Sequence, residues 1–260
     1  MTALLEGHSV SKHFGGLKAV DEVDFHLDEG EILGLIGPNG AGKTTLFSVI
    51  TGSIPPTSGR VVLEGKDIAG RPAHRVVHSG ACRTHQIVRP FARLTILENV
   101  VVGILYGRTA GHRPKTMGGA RSEARDLLDF VGLGDRAASF PAELTLAGRK
   151  KLEVARALGA RPRVLLLDEV VSGLNPVETQ TLVELIRSVR QRDMSIIMIE
   201  HVMQAVMGVS DRVMVLDYGK KIAEGPPGQI SRDPRVIEAY LGEEPEETEN
   251  PDDGTESQGA

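Results

Sequence analysis

An α/β fold built on a largely parallel sheet is predicted by two features of the chain. An apolar, β-branched run at 31–36 passes through a glycine-rich loop into a helical pattern at 43–50, and short apolar runs separated by helical patterns recur downstream. The first run stops at Gly37, and the residues from Lys43 combine good helix formers with apolar spacing, so strand, loop and helix follow one another. Further strands are expected at 61–64, 164–167, 195–199 and 212–217, with helical patterns at 152–158 and 178–190 between them. Between 86 and 149 the pattern shifts towards helix, at 95–103 and 121–131, around a glycine-rich, basic stretch at 106–120. An inserted helical subdomain with an exposed connector is the reading of that region. From Glu243 onward the chain is acidic and poor in large apolar residues, a composition expected to remain disordered.

Composition narrows the class. With 40% apolar and 25% charged residues, the 260-residue chain can bury a sizeable core. Its 35 acidic and 30 basic side chains give −5, but residues 243–260 hold eight acidic and no basic ones, leaving 27 against 30, or about +3, over 1–242. That balance offers no general case for a polyanion-binding surface, and 3% aromatic residues without Trp argue against a stacking platform, so no nucleic-acid partner is expected. A single cysteine, Cys82, excludes an internal disulfide, no Cys/His cluster has zinc-site spacing, and a reducing cytosol fits; Cys82 reads as an inert small side chain. The start of the chain lacks the features of a signal peptide. The longest apolar runs, 100–105 broken by Gly103 and 164–167, fall far short of the roughly 20 residues needed to span a bilayer. No transmembrane segment is expected, and a membrane partner stays open.

Gly37-Pro38-Asn39-Gly40-Ala41-Gly42-Lys43-Thr44 satisfies the pattern G-x-x-x-x-G-K-[ST] in the context that the pattern needs, after a strand and opening a helix. Glycines let the backbone approach phosphates so that its N–H groups point inward, and the helix N-terminus adds favourable potential. Lys43 would neutralise the β- and γ-phosphates, and the Thr44 hydroxyl would ligate Mg²⁺. Thr45 continues the first turn. Nucleotide binding follows.

Residues 164–169 run Val-Leu-Leu-Leu-Asp-Glu, a buried-strand pattern ending in two carboxylates that alternation sends in different directions. In such a site Asp168 would hold the Mg²⁺ shell and Glu169 would polarise a water in line with the γ-phosphoryl group. The strand at 195–199 ends in Glu200-His201, and His201 is a candidate for ordering that water.

With the phosphate loop, Gln86, the segment 144–158, Asp168-Glu169 and His201 in this order, the chain resembles the ATP-binding subunits of ABC transporters across residues 5–242. Ala155-Arg156-Ala157-Leu158 fixes the register of the family's signature, Leu-Ser-Gly-Gly-Gln, on Leu144-Thr145-Leu146-Ala147-Gly148. The resemblance implies a RecA-like P-loop NTPase core at 5–85 and 150–242, an inserted helical subdomain at 86–149, and an antiparallel β subdomain near the N-terminus. It implies a head-to-tail dimer with a second ATPase subunit, identical or not, in which Thr145, Ala147 and Gly148 reach the nucleotide held by the opposite subunit. Phe14 would stack on adenine; an ordinary core phenylalanine is its alternative. Gln86 would link Mg²⁺ and water to polytopic permease subunits, and Ser172-Gly173-Leu174-Asn175 would cross the dimer interface. The expected activity is ATP hydrolysis coupled to transport, at the cytoplasmic face of the membrane, with a solute-binding protein in the full complex.

Within that family, residues 14–20, 83–91, 173–176, 199–201 and 236–243 look like the branched-chain amino acid importer type. Importers of urea or other amides and ATPases of lipopolysaccharide export share much of the pattern, and His85 departs from the Phe usual before the glutamine. Other departures are Thr145 for Ser, Ala147 for Gly, Gly148 for Gln, Asn175 for Asp and Val170 for Pro. Ala147 adds a methyl where backbone approaches phosphate, which bears on hydrolysis rate more than on binding. A soluble mechanochemical ATPase of the same superfamily and a slow nucleotide-gated module are the alternatives.

Overall fold

A computed structural model describes residues 3–84, 90–107, 114 and 116–241. The chain opens with β1 (Ala3–Phe14), β2 (Leu17–Asp28) and β3 (Ile32–Ile36), followed by α1 (Lys43–Ile50), β4 (Ser58–Leu63), β5 (Lys66–Asp67), α2 (Ala73–Ser79) and β6 (Ala81–Arg83). Next come α3 (Ile96–Tyr106), α4 (Met117–Phe130), α5 (Leu146–Gly159), β7 (Val164–Asp168), α6 (Pro176–Arg190) and β8 (Ser195–Ile199). The chain continues through α7 (Met203–Val209), β9 (Arg212–Asp217), β10 (Lys220–Gly225), α8 (Pro227–Ile230) and α9 (Pro234–Leu241).

Two sheets form. The larger has the order β10-β9-β3-β8-β7-β6, parallel except for the β10 edge. β3, β7 and β8 are buried along their whole length, because helices cover one face of the parallel sheet and α1 with the antiparallel sheet covers the other, leaving no polar side. The smaller sheet, β2-β1-β4-β5, is antiparallel. The apolar run expected at 61–64 therefore belongs to β4 of this second sheet, and the parallel sheet gains the three-residue β6 instead.

Alternation gives the central strands two buried faces, and a third, smaller cluster joins Ile36, Val213 and Val215 to Val206, Ile230 and Val236. Leu33, Leu35, Leu166, Ile197 and Ile199 face Leu46 and Phe47 of α1 and the inner side of the antiparallel sheet, including Val10, Val23 and Leu63. Ile32, Leu165, Leu167, Ile196 and Met198 face the other way, onto Ile104 of α3, Leu158 of α5 and Leu182 and Ile186 of α6. Helix α5 packs on α3 and α4, shares a core with β7 and β8 and bonds through Lys150 to the Glu169 carbonyl, so it joins the helical region to the strand ends. Capping fixes where these helices begin. Thr95 and Glu98 exchange bonds of 3.2 and 2.9 Å at the start of α3, and Asn175 with Glu178 does the same at α6, where Pro176 takes the first helical position. Asn175, a departure from the family's Asp, keeps the acceptor that this cap requires.

Candidate active site

Parallel order brings the carboxyl ends of β3, β7 and β8 to one edge, the place where α/β sheets bind ligands. β3 delivers the loop 37–42 and α1 there, β7 delivers Asp168 and Glu169, and β8 delivers Glu200 and His201.

The loop's shape demands glycine at two points. Gly37 has φ 147° and a Cβ there would lie 2.0 Å from the Leu216 carbonyl oxygen; Gly42 has φ 100° and would bring a Cβ to 2.2 Å from that of Ala19. The Gly37 N–H donates to the Tyr240 hydroxyl at 2.9 Å, tying α9 to the first loop residue. The Lys43 ammonium donates to the carbonyls of Gly37 and Pro38 at 2.5 and 2.7 Å. Helix α1 starts without a side-chain cap and without an acidic residue in its first turn, so its N–H groups and dipole are available to an anion. A cleft of about 580 Å³ opens over this loop, lined by Asn39, Gly40, Ala41, Gly42, Lys43, Thr44 and Thr45 together with Phe14, Lys18 and Glu169. Phe14 is 51% exposed and carries the Lys12 ammonium 5.0 Å from its ring centre. It is a cleft wall, not a core residue.

Asp168 is 1% exposed. Its Oδ2 accepts from Arg83 at 2.5 Å and its N–H donates to the Thr84 hydroxyl at 3.1 Å, whereas Oδ1 is buried and unpartnered among the described residues. A buried carboxylate oxygen left open, beside a helix whose second residue is a threonine, fits a hard cation with oxygen ligands. Glu169 adopts φ 48°, in the left-handed region. Its N–H donates to Ile199 O at 2.9 Å and its carbonyl accepts from the Lys150 ammonium at 2.5 Å. These bonds hold the turn that directs its carboxylate into the cleft, where Oε2 lies 4.0 Å from His201 Nδ1.

Behind the turn sits a charge cluster that sequence patterns did not single out. Lys150 and Glu200 are 4% and 1% exposed. Glu200 Oε1 accepts from the Val171 N–H at 2.8 Å, Oε2 has no partner among the described residues, and burial pushes the carboxyl up to about 7 against the pull of that bond and of Lys150. Desolvation lowers Lys150, and Glu200 is the largest of the carboxylates that oppose it. Arg83 was missed as well. Neither it nor Lys150 sits in a pattern that marks burial; their roles follow from tertiary contacts.

Thr145, Ala147 and Gly148 lie elsewhere. They line a second cleft, about 370 Å³, with Arg136, Lys151 and Glu178. Thr145 caps α5 by accepting from the Gly148 N–H at 3.2 Å, which leaves its hydroxyl hydrogen to donate outward. Gly148 is buried, and a Cβ there would come within 3.2 Å of Leu144. Gln86 lies outside the described residues. Cys82 is inert in this setting, since burial pushes its thiol up to about 11.

The family model described as "ABC transporter" matches residues 20–172. The chain belongs to the ATP-binding subunits of ABC transporters. This ATP-binding subunit binds ATP and hydrolyses it to drive transport. A second model, "Branched-chain amino acid ATP-binding cassette transporter", matches 220–246, the end that carries Tyr240. The high-affinity branched-chain amino acid transport ATP-binding protein BraF of Pseudomonas aeruginosa is 39% identical, over 92% of this chain and 98% of its own length. LivG of Escherichia coli, with the same description, is 40% identical over 92% and 98%. The lipopolysaccharide export ATP-binding protein LptB of Haemophilus influenzae is 31% identical over 93% and 98%. The crystal structure of a nucleotide-free ATP-binding cassette from an ABC transporter matches with TM-score 0.84 and 30% identity, over 93% of this subunit and all of that chain. The ADP conformation of such a cassette matches equally well, at 0.84 and 30%, over 94% and 100%. Among the described residues no helix is long and apolar enough to cross a membrane; ABC ATPase subunits associate with membrane transporters.

Proposed function

We propose that the subunit powers import of branched-chain amino acids and that Glu169 is its catalytic carboxylate, the observation carrying the latter being the left-handed turn that puts this side chain into the phosphate-loop cleft. The triphosphate lies along residues 37–45 with Lys43 on the β- and γ-phosphates and Phe14 against the adenine. Thr44, Asp168 and Gln86 would hold Mg²⁺, which when bound neutralises charge on the β- and γ-oxygens. Glu169 accepts a proton from the water that attacks the γ-phosphorus as the bond to the β,γ-bridging oxygen breaks, and His201 orients that water and the γ-phosphoryl oxygens.

The second cleft supports a head-to-tail pair. Thr145, Ala147 and Gly148 then meet the γ-phosphate held by a second ATPase subunit, and the helical region, 86–149 in this division, moves with closure against polytopic permease subunits. The solute assignment draws on the relatives' descriptions and on the match at 220–246.

Two measurements test this reading. Lys43→Ala removes the charge that neutralises the phosphates, and ATP affinity falls by about 100-fold, on the scale of a lost charge-assisted contact; a fluorescent ATP analogue checks it, and affinity within threefold of wild type defeats the assignment. Tagged subunit purified from gently solubilised membranes carries stoichiometric polytopic permeases, and leucine, isoleucine or valine with the cognate solute-binding protein raises ATP turnover of the reconstituted complex. Stimulation by urea or another amide in their place would reject the solute.

A further inference from the structure

We propose that Arg83 is the resident counter-cation of Asp168: its guanidinium neutralises the buried carboxylate in the metal-free protein and opposes an arriving Mg²⁺, so that it sets the Mg²⁺ concentration at which nucleotide stabilises the fold. The inference rests on the reading of Asp168 as a metal ligand.

Geometry carries it. Arg83 ends β6, next to β7; the Asp168 side chain is buried at 1% exposed and that of Arg83 is largely covered at 9%. Nη2 donates to Asp168 Oδ2 at 2.5 Å, while Nη1 donates to Ser48 Oγ at 3.0 Å, and that hydroxyl donates in turn to the Thr44 carbonyl at 2.7 Å. The guanidinium carbon lies 5.6 Å from the centre of the Phe47 ring. One planar cation is thus wedged between the helix that carries Thr44 and the strand that carries Asp168, and it uses only one of the two carboxylate oxygens. The other, Oδ1, is the buried atom with no partner among the described residues.

Two opposite consequences follow from one charge. Without Arg83, Asp168 is a buried carboxylate lacking its counter-ion, and removing one partner of a buried pair is strongly destabilising. At the same time a positive charge next to a dication is removed, which strengthens attraction of that dication in a medium of reduced dielectric. Loss of Arg83 therefore lowers stability without metal and increases sensitivity to Mg²⁺. A residue that merely filled space would do the first and not the second.

The test uses the full-length chain, thermal unfolding, saturating ADP and a Mg²⁺ titration. Arg83→Met unfolds about 10 °C below wild type without Mg²⁺, gains more from Mg²⁺ than wild type does, and reaches its midpoint at about tenfold lower Mg²⁺. Arg83→Lys, which keeps the charge, stays within about twofold of the wild-type midpoint. Arg83→Met with Asp168→Asn recovers the metal-free stability and loses the Mg²⁺ response, which also covers the case in which Arg83→Met alone does not fold. A midpoint for Arg83→Met equal to or above that of wild type, an Mg²⁺-driven gain no larger than wild type's, or a double variant that is no more stable than Arg83→Met overturns the counter-cation. Asp168→Asn alone retaining the full Mg²⁺ response overturns the metal-ligand reading instead, a separate failure.

Discussion

Glu169→Gln lowers ATP turnover by about 10²–10⁴-fold while nucleotide affinity stays within about twofold, the loss expected when a general base is removed and the binding groups are kept. The substitution is nearly isosteric. Its backbone keeps the bonds from Lys150 and to Ile199, and the side chain is 19% exposed at the cleft wall. What disappears is the capacity to take a proton from water. Single-turnover hydrolysis of labelled ATP by the reconstituted transporter, with binding measured in parallel, reads both quantities. Turnover within tenfold of wild type would move the proton acceptor elsewhere, with His201 next in reach at 4.0 Å.

Lys150→Met lowers the unfolding temperature by about 10 °C at pH 8, on the scale of about 3–5 kcal/mol lost when a buried charge is deprived of a nearby opposite charge. Lys150 and Glu200 are 4% and 1% exposed, and Lys150 is the cation whose attraction opposes the upward push on Glu200. The pH dependence identifies the cause. An ordinary Glu carboxyl releases its proton near 4.5, whereas folded Glu200 does so at about 7. Between those values the folded state binds more protons than the unfolded state, so Glu200's contribution to stability falls as pH rises. Without Lys150 the folded carboxyl releases its proton higher still. The variant's deficit is consequently small near pH 5 and grows towards pH 8, and adding Glu200→Gln removes that growth. Unfolding curves at pH 5 and pH 8 decide the matter; an equal deficit at both would mean that Lys150 acts through its bond to the Glu169 carbonyl and the packing of its stem, not through the charge of Glu200. Turnover drops in the same variant, because the Glu169 carbonyl loses the bond that helps hold its left-handed turn.

The phosphate loop, its flanking strand and helix, and the strand ends with Asp168-Glu169 and His201 were legible because local order is enough there: glycines at forced φ values and all-apolar strands write themselves into the sequence. β8 and β9 and helix α1 lie at the residues expected from apolar runs alone. β1 and β2 were not placed by pattern, only implied by family resemblance, and the reason is physical. Bulges around Ser9 and Glu22, with φ 46° and 51°, shift the register between Gly7 and Val10 and again towards Lys12, which breaks the two-residue alternation. Asp24 and Ser11 stabilise them by accepting from the Ser9 and Glu22 N–H groups at 2.7 and 2.9 Å. The short β6 carries too few residues to signal a strand. Arg83, Lys150 and Glu200 stay silent in sequence because a charged residue reads as surface until the fold supplies its partner.

Strand order also dictates a schedule for biosynthesis. β3 carries the phosphate loop near the start of the chain, yet its neighbours are β8 and β9, with Ile32 against Ile196 and Leu33 against Arg212. At ribosomal speeds of about 5–20 residues per second, an emerging β3 waits roughly 8–33 s for its first ladder partner. Through that interval a wholly apolar strand has no parallel ladder to join, and the edge that carries the ATP pocket assembles only once β8 and β9 have been made.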